Sequence, residues 1–394
     1  MKARQPWMVA VLLALLGGAS GLTQAAASGS ALSLLPPELQ VRQALADLPQ
    51  LRGSVLEGDL ARADQKRLAA GQYEWTLRAG HGQRSIVGGE RFQEQEVGLE
   101  RTVRWFGKAS QDESIGAQTV ALAATRRADS WHEAGRVLLV DWFAGLREQV
   151  AVARWREQLT LADELLRSVG QRVKAGDAAR LDLLQAQGER GRIQAQLQQA
   201  ELRLEQALAQ LQLAYRGLPV PSVTELPLPQ YGAVSVDSLQ QQILADNHEL
   251  ELAQAGATLA RLRAQRQASE RMPDPTLAIR ALRERAGQER LIGVTLSIPL
   301  PGAARSAERD AAVARASMAR EQQALIERKV QGDARRAATE AVRSVALWQT
   351  QEALAQQAQE QASLMLRAYR AGEISLADAL TSRRLALDAL LAAQ

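Results

Sequence analysis

Residues 273–302, PDPTLAIRALRERAGQERLIGVTLSIPLPG, limit what this chain can fold into more than any other stretch. Leu277, Ile279 and Ala281 alternate with Ala278, Arg280 and Leu282. Val294, Leu296 and Ile298 alternate with Thr295 and Ser297. Two runs of period two, bounded by Pro and Gly, predict two paired strands, about 275–283 and 290–299. On either side lie tens of residues of Ala, Gln, Leu, Arg and Glu with hardly a Gly or Pro, the composition of long helices. A lone hairpin is marginal in water. Something outside the chain, or other copies of it, must complete that sheet.

A weaker strand pair precedes it. Trp75, Leu77 and Ala79 alternate with Glu74, Thr76 and Arg78 in the stretch 72–80. Val97, Leu99, Arg101 and Val103 alternate with Glu96, Gly98, Glu100 and Thr102 in 94–103. Arg101 interrupts an otherwise apolar face, and the Gly-rich residues 81–93 read as a turn. Helical patterns cover 36–70, with a break near Pro49 and Gly53, then 111–174, 180–215, 235–271, 303–370 and 373–394. At 1.5 Å per residue the fifth would run roughly 100 Å. Ile193, Leu197, Ala200, Leu204, Ala207, Leu211 and Ala214 step by four and three, the seam of packed helices. Residues 217–231, with four prolines, form an extended connector.

The pattern helix, strand pair, long helix, glycine turn, helix occurs twice, over 28–216 and 232–394. Val173-Lys174-Ala175-Gly176 before Leu181-Asp182 and Leu184 answers Tyr369-Arg370-Ala371-Gly372 before Ala377-Asp378 and Leu380. Each unit alone leaves an open sheet and an exposed seam, so the repetition implies a pseudo-symmetric architecture. One asymmetry stands out: about 39 residues run from Gly176 to Tyr215, but only 22 follow Gly372. At the start, Lys2 and Arg4, the apolar Trp7–Leu16 and the small residues to Ala27 form a signal-peptide pattern over 1–27.

With no Cys there is no disulfide and no thiolate metal site. A net charge of +4, dispersed along 394 residues, argues for no nucleic-acid partner. His81, His132 and His248 stand apart and form no metal-ligand motif. No phosphate-binding glycine loop or nucleophile elbow occurs. The expected class is a non-enzyme without cofactor. A chain lacking a spanning helix can still enter a membrane by contributing strands to a barrel. Four strands cannot close one, since about eight is the practical minimum, but three chains supply twelve. A soluble helical rod with small capping hairpins fits the same periodicity.

The residues that carry most information together are Pro273–Pro275 with the strand ending VTLSIPL300, Arg172–Asp177 with Leu181–Leu184, and Tyr369–Leu376 with Asp378 and Leu380. In this order and duplicated, they resemble the outer-membrane efflux proteins, the channel-tunnel outer component of tripartite export pumps in Gram-negative bacteria. The ending is most similar to the heavy-metal cation subgroup. The resemblance implies a mainly α fold with a small β part: a homotrimer with a twelve-stranded barrel in outer-membrane lipid and a helical tunnel in the periplasm. It implies a passive gated duct for metal cations, working with a periplasmic adaptor and an inner-membrane pump. It places Asp182, Tyr369 and Asp378 at the pore constriction, and Gly176 and Gly372 at the tip turns where the adaptor docks. Ile374 and Thr381 stand where some members have Arg and Asp. Both aspartates also suit the first turn of a helix, where a negative charge favours the dipole. A periplasmic coiled-coil adaptor remains the alternative to a pore, besides the rod.

Overall fold

The computed structural model describes residues 34–220, 223 and 234–393. The signal-peptide pattern and most of the Pro-rich connector lie outside the described residues. The elements in order are α1 (Glu38–Ala46), α2 (Pro49–Ala70), β1 (Thr76–Ser85), β2 (Arg91–Thr102), α3 (Lys108–Ala175), α4 (Arg180–Ala214), α5 (Val236–Ala245), α6 (His248–Ala268), β3 (Thr276–Glu284), β4 (Glu289–Ser297), α7 (Ala303–Ala371) and α8 (Leu376–Ala392). The chain divides into two compact units. One comprises Met1–Pro49, Trp131–Ala245 and Asp333–Gln394; the other comprises Gln50–Ser130 and Asp246–Gly332. Each unit draws segments from both sequence halves.

The break expected near Pro49 is present, between Ala46 and Pro49, while Gly53 lies inside α2. The 68-residue α3 runs through Gly135 and Gly145 without a break. The expected single helix over 235–271 is instead two, because Asn247 interrupts it as an N-cap: its side chain accepts a hydrogen bond from Leu250 N at 2.9 Å. No helix among the described residues is long and apolar enough to cross a membrane.

The two hairpins form one sheet. All pairings are antiparallel in the order β1-β2-β3-β4. β2 pairs with β3 from Thr102↔Thr276 to Gln95↔Arg283, and the two threonine hydroxyls meet at 2.7 Å. The partner missing from each hairpin is therefore, on one edge, the other hairpin. The glycine-rich 81–93 is also mostly strand: β1 runs to Ser85 and β2 starts at Arg91, leaving a turn at 86–90. Glycine weakens a strand through entropy, yet here the ladder continues through Gly80↔Glu96 and Gly82↔Glu94.

A buried ionic network lies where β1, β2 and β3 begin or end. Lys108, the first residue of α3, is 1% exposed, with its Nζ 2.8 Å from Asp274 and 3.1 Å from Glu270. Asp274 also accepts from Trp105 N at 2.8 Å and from the Tyr73 hydroxyl at 2.9 Å. Arg266 bridges Asp112 and Glu270, and Arg104 joins Asp112 while donating to the carbonyls of Leu68 and Ala69. A cation at a helix N-terminus opposes the dipole; two carboxylates offset that here. Burial pushes the Asp274 carboxyl up, but the hydrogen bonds from Lys108, Trp105 and Tyr73 prevail and hold it below the usual range.

In the other unit, the heptad seam does what its spacing predicts. Ile193, Leu197 and Ala200 of α4 pack with Val152, Trp155 and Ala162 of α3 and Leu387 of α8. Leu211 is buried further along. The short α8 is also held by charge. Arg384 and Arg192 both pair with Glu189, which is 4% exposed, and Arg383 donates to Gln158.

Candidate functional site

Two places collect the residues with functional meaning: the sheet and the paired hairpin ends. In the sheet the register sorts side chains by chemistry. Leu77, Leu99, Ile279 and Val294 form one row across all four strands; Ala79, Val97, Ala281 and Ile292 form the next. A third row holds Arg101, Leu277 and Leu296. This apolar face is uncovered: Leu77 is 71% exposed, Val294 75% and Ile292 81%. The Arg101 guanidinium lies 5.3 Å from the centroid of the Trp75 ring, which accommodates the one charge in that row.

The opposite face carries Arg78, Arg84, Arg280 and all five strand carboxylates: Glu94, Glu96, Glu100, Glu284 and Glu289. Arg78 pairs with Glu100 at 2.7 Å, and Arg84 with Glu94 at 2.7 Å and Glu284 at 3.4 Å. Phe92, Ala278, Leu282 and Leu291 are its apolar exceptions. A sheet with an uncovered apolar face and an ion-paired polar face can stand between an apolar medium and an aqueous one.

The hairpin ends repeat one backbone device. At Gly176 (φ +83°) the amide donates to Val173 O at 3.2 Å and Asp177 N donates to Arg172 O at 2.8 Å. At Gly372 (φ +80°) the amide donates to Tyr369 O at 3.0 Å and Glu373 N to Ala368 O at 2.9 Å. Both are Schellman terminations, with glycine at the left-handed position. A Cβ on either glycine would meet nothing within 4 Å. Backbone conformation, not space, requires glycine there.

The three residues expected at a constriction sit differently. Tyr369 is buried, 5% exposed, among Val169, Ala186, Leu376, Ala379 and Leu380 from three other helices. The Arg172 guanidinium lies 5.1 Å from its ring centroid. Burial pushes the Tyr369 phenol up, Arg172 opposes the rise and the charge of Asp182 adds to it. Asp182 is half-buried in the first turn of α4, beside this cluster. Asp378 is exposed in the first turn of α8 and forms a capping pair with Ser375: Ser375 Oγ accepts from Asp378 N at 3.2 Å and donates to its carboxylate at 2.6 Å. The matching position before Asp182 is Ala179, which caps nothing with its side chain. Arg172 is a neighbour of Tyr369 to which the sequence alone assigns no role. A basic residue one turn before a helix-ending glycine, four positions before Gly176, was the signal available.

Among the described residues no cluster of three metal-capable side chains occurs. No family model and no curated protein matches the chain. Solved structures do. The CmeC outer membrane channel of Campylobacter jejuni superposes with a TM-score of 0.70 at 14% identity, over 90% of this chain and 81% of that one. The outer membrane protein VceC of Vibrio cholerae gives 0.73 at 15% identity, over 92% and 91%. The open-state MtrE outer membrane channel of Neisseria gonorrhoeae gives 0.64 at 17%, over 90% and 84%. The chain shares the fold of these proteins over nearly its whole length.

Proposed function

We infer that the chain is one third of an outer-membrane export duct. The observation that carries this is the sheet: four paired strands, a contiguous apolar face left open and every strand carboxylate on the other side. Three copies would supply twelve strands, enough to close a barrel, with the apolar rows toward lipid and the ion-paired face toward a lumen. The fold shared with three outer membrane proteins supports the same reading. The long helices α3 and α7, each paired with a following helix across a glycine turn, would form the periplasmic tunnel of the homotrimer, and the signal-peptide pattern fits export.

The mechanism is gated diffusion, driven by an inner-membrane pump acting through an adaptor. The ends bearing Gly176 and Gly372 offer paired helix termini as the docking surface. Asp182 and Asp378, repeated three times, would line the constriction, with the buried Tyr369 packed behind them. Its six carboxylates would favour cations over anions, which suits metal cations as cargo. Threefold tubes seen by electron microscopy of the detergent-extracted protein support the duct; a rod soluble without detergent refutes it.

A further inference from the structure

The apolar face of the sheet changes character at its turn end. The row next to Ala79–Val97–Ala281–Ile292 is His81, Gln95, Arg283 and Arg290. It lies two residues further along each strand, about 7 Å away. Arg91 follows on the same face of β2. No carboxylate of any strand shares this face, because all five have the opposite parity. Arg283 and Arg290 stand directly opposite each other and are both exposed. Neither makes an ion pair or side-chain hydrogen bond among the described residues; the nearby turn pair is Arg285 with Glu289 at 3.0 Å. The Arg283 side chain folds over Gly287 (φ +94°), occupying the space a Cβ would need.

Like charges directly opposite on two strands are destabilising. On the polar face the same strands neutralise Arg78 and Arg84 with glutamates. On this face they leave the arginines uncompensated, at the border of an apolar band. A molecule that brings an anion and has an apolar part to place on the adjacent rows would supply the counter-charge. We propose that Arg283 and Arg290 bind the phosphate of a lipid headgroup whose acyl chains cover Ile292, Val294 and Ile279, with His81 and Arg91 further off on the same face. This rests on the reading of the sheet as a membrane wall. Arginine suits phosphate through its forked donors.

The full chain, purified in detergent, is titrated in native mass spectrometry with lipid A bearing two phosphates, with dephosphorylated lipid A and with inorganic phosphate. The phosphorylated lipid binds the natural protein most tightly. The double variant Arg283→Gln/Arg290→Gln loses about fivefold per arginine, roughly thirtyfold in all, from the usual worth of a basic residue at an anionic membrane surface. Arg84→Gln, at a similar height on the other face, binds as the natural protein does. Equal affinity in the double variant overturns the proposal. Inorganic phosphate binding as tightly as the lipid overturns the lipid assignment. Failure of the natural protein to insert into phosphatidylcholine vesicles overturns the membrane-wall reading itself, an outcome separable from loss of phosphate affinity.

Discussion

Lys108→Met tests whether the network at the foot of the sheet holds the structure together. Lys108 is 1% exposed and faces Asp274 and Glu270 at 2.8 and 3.1 Å. Methionine keeps the length and removes the charge. Asp274, whose side chain is 3% exposed, then loses its cation. Removing one partner of a buried ion pair costs about 3–5 kcal/mol. The low end, about 3 kcal/mol, applies because Trp105 N and the Tyr73 hydroxyl still donate to Asp274. The Trp105 amide reports the opening, since it is bonded to that carboxylate. At 1.4 kcal/mol per decade, its hydrogen exchange speeds up about 100-fold. The pH dependence changes too. The Asp274 carboxyl is held below its ordinary value. It therefore stabilises the fold above the unfolded carboxylate pKa, and that stabilisation is lost as pH falls through the folded value. In Lys108→Met the folded pKa rises and the acid loss shrinks. Exchange at Trp105 within about threefold of the natural rate, the range of a surface substitution, would refute this account.

Three further outcomes follow from the other unit. Gly372→Val forces a β-branched residue to φ near +80°, which costs at least about 1–2 kcal/mol; thermal unfolding followed by circular dichroism should shift down, and Gly176→Val should match it. Glu189→Gln removes the shared partner of Arg192 and Arg384. Burial pushes that carboxyl up but the two arginines hold it low, so the natural protein loses stability as pH falls below the carboxylate's ordinary 4.5 and the variant shows a flatter acid limb in the same melts. Ser375→Ala deletes a cap bonded to Asp378 N, costing about 1 kcal/mol and raising amide exchange over 376–380, whereas Ala179→Ser at the equivalent turn should lower exchange over 180–184.

The strands, the long helices and both glycine turns were legible because each writes a local signal: period two, period 3.6, or a Gly ending a helical run. The β2–β3 pairing was not. Antiparallel registry between Thr102 and Thr276 leaves no trace in either segment alone. Nor was the length of β1 and β2, because His81-Gly82-Gln83 has the composition of a turn and is strand only through its neighbours. At the hairpin ends the sequence named Tyr369 but could not tell that its ring packs inside the chain beneath Arg172. Asp378 takes part in a cap because Ser375 precedes it by three, a spacing visible in the sequence. The Lys108 network was invisible, since its members come from segments up to 201 residues apart.

The β2–β3 seam has a consequence for how such a chain is made. Thr102 and Thr276 are 174 residues apart. At roughly 5–20 residues per second of synthesis, the first hairpin waits on the order of ten to thirty seconds before its partner exists. For that time the free edge of β2 and the apolar rows beside it are a template for any other unfolded strand. So long a loop closure also makes the sheet the slow step in assembly. Production of this protein should therefore be limited by the interval between its two hairpins, and a holdase that covers residues 91–103 should raise the yield more than any change to the helices.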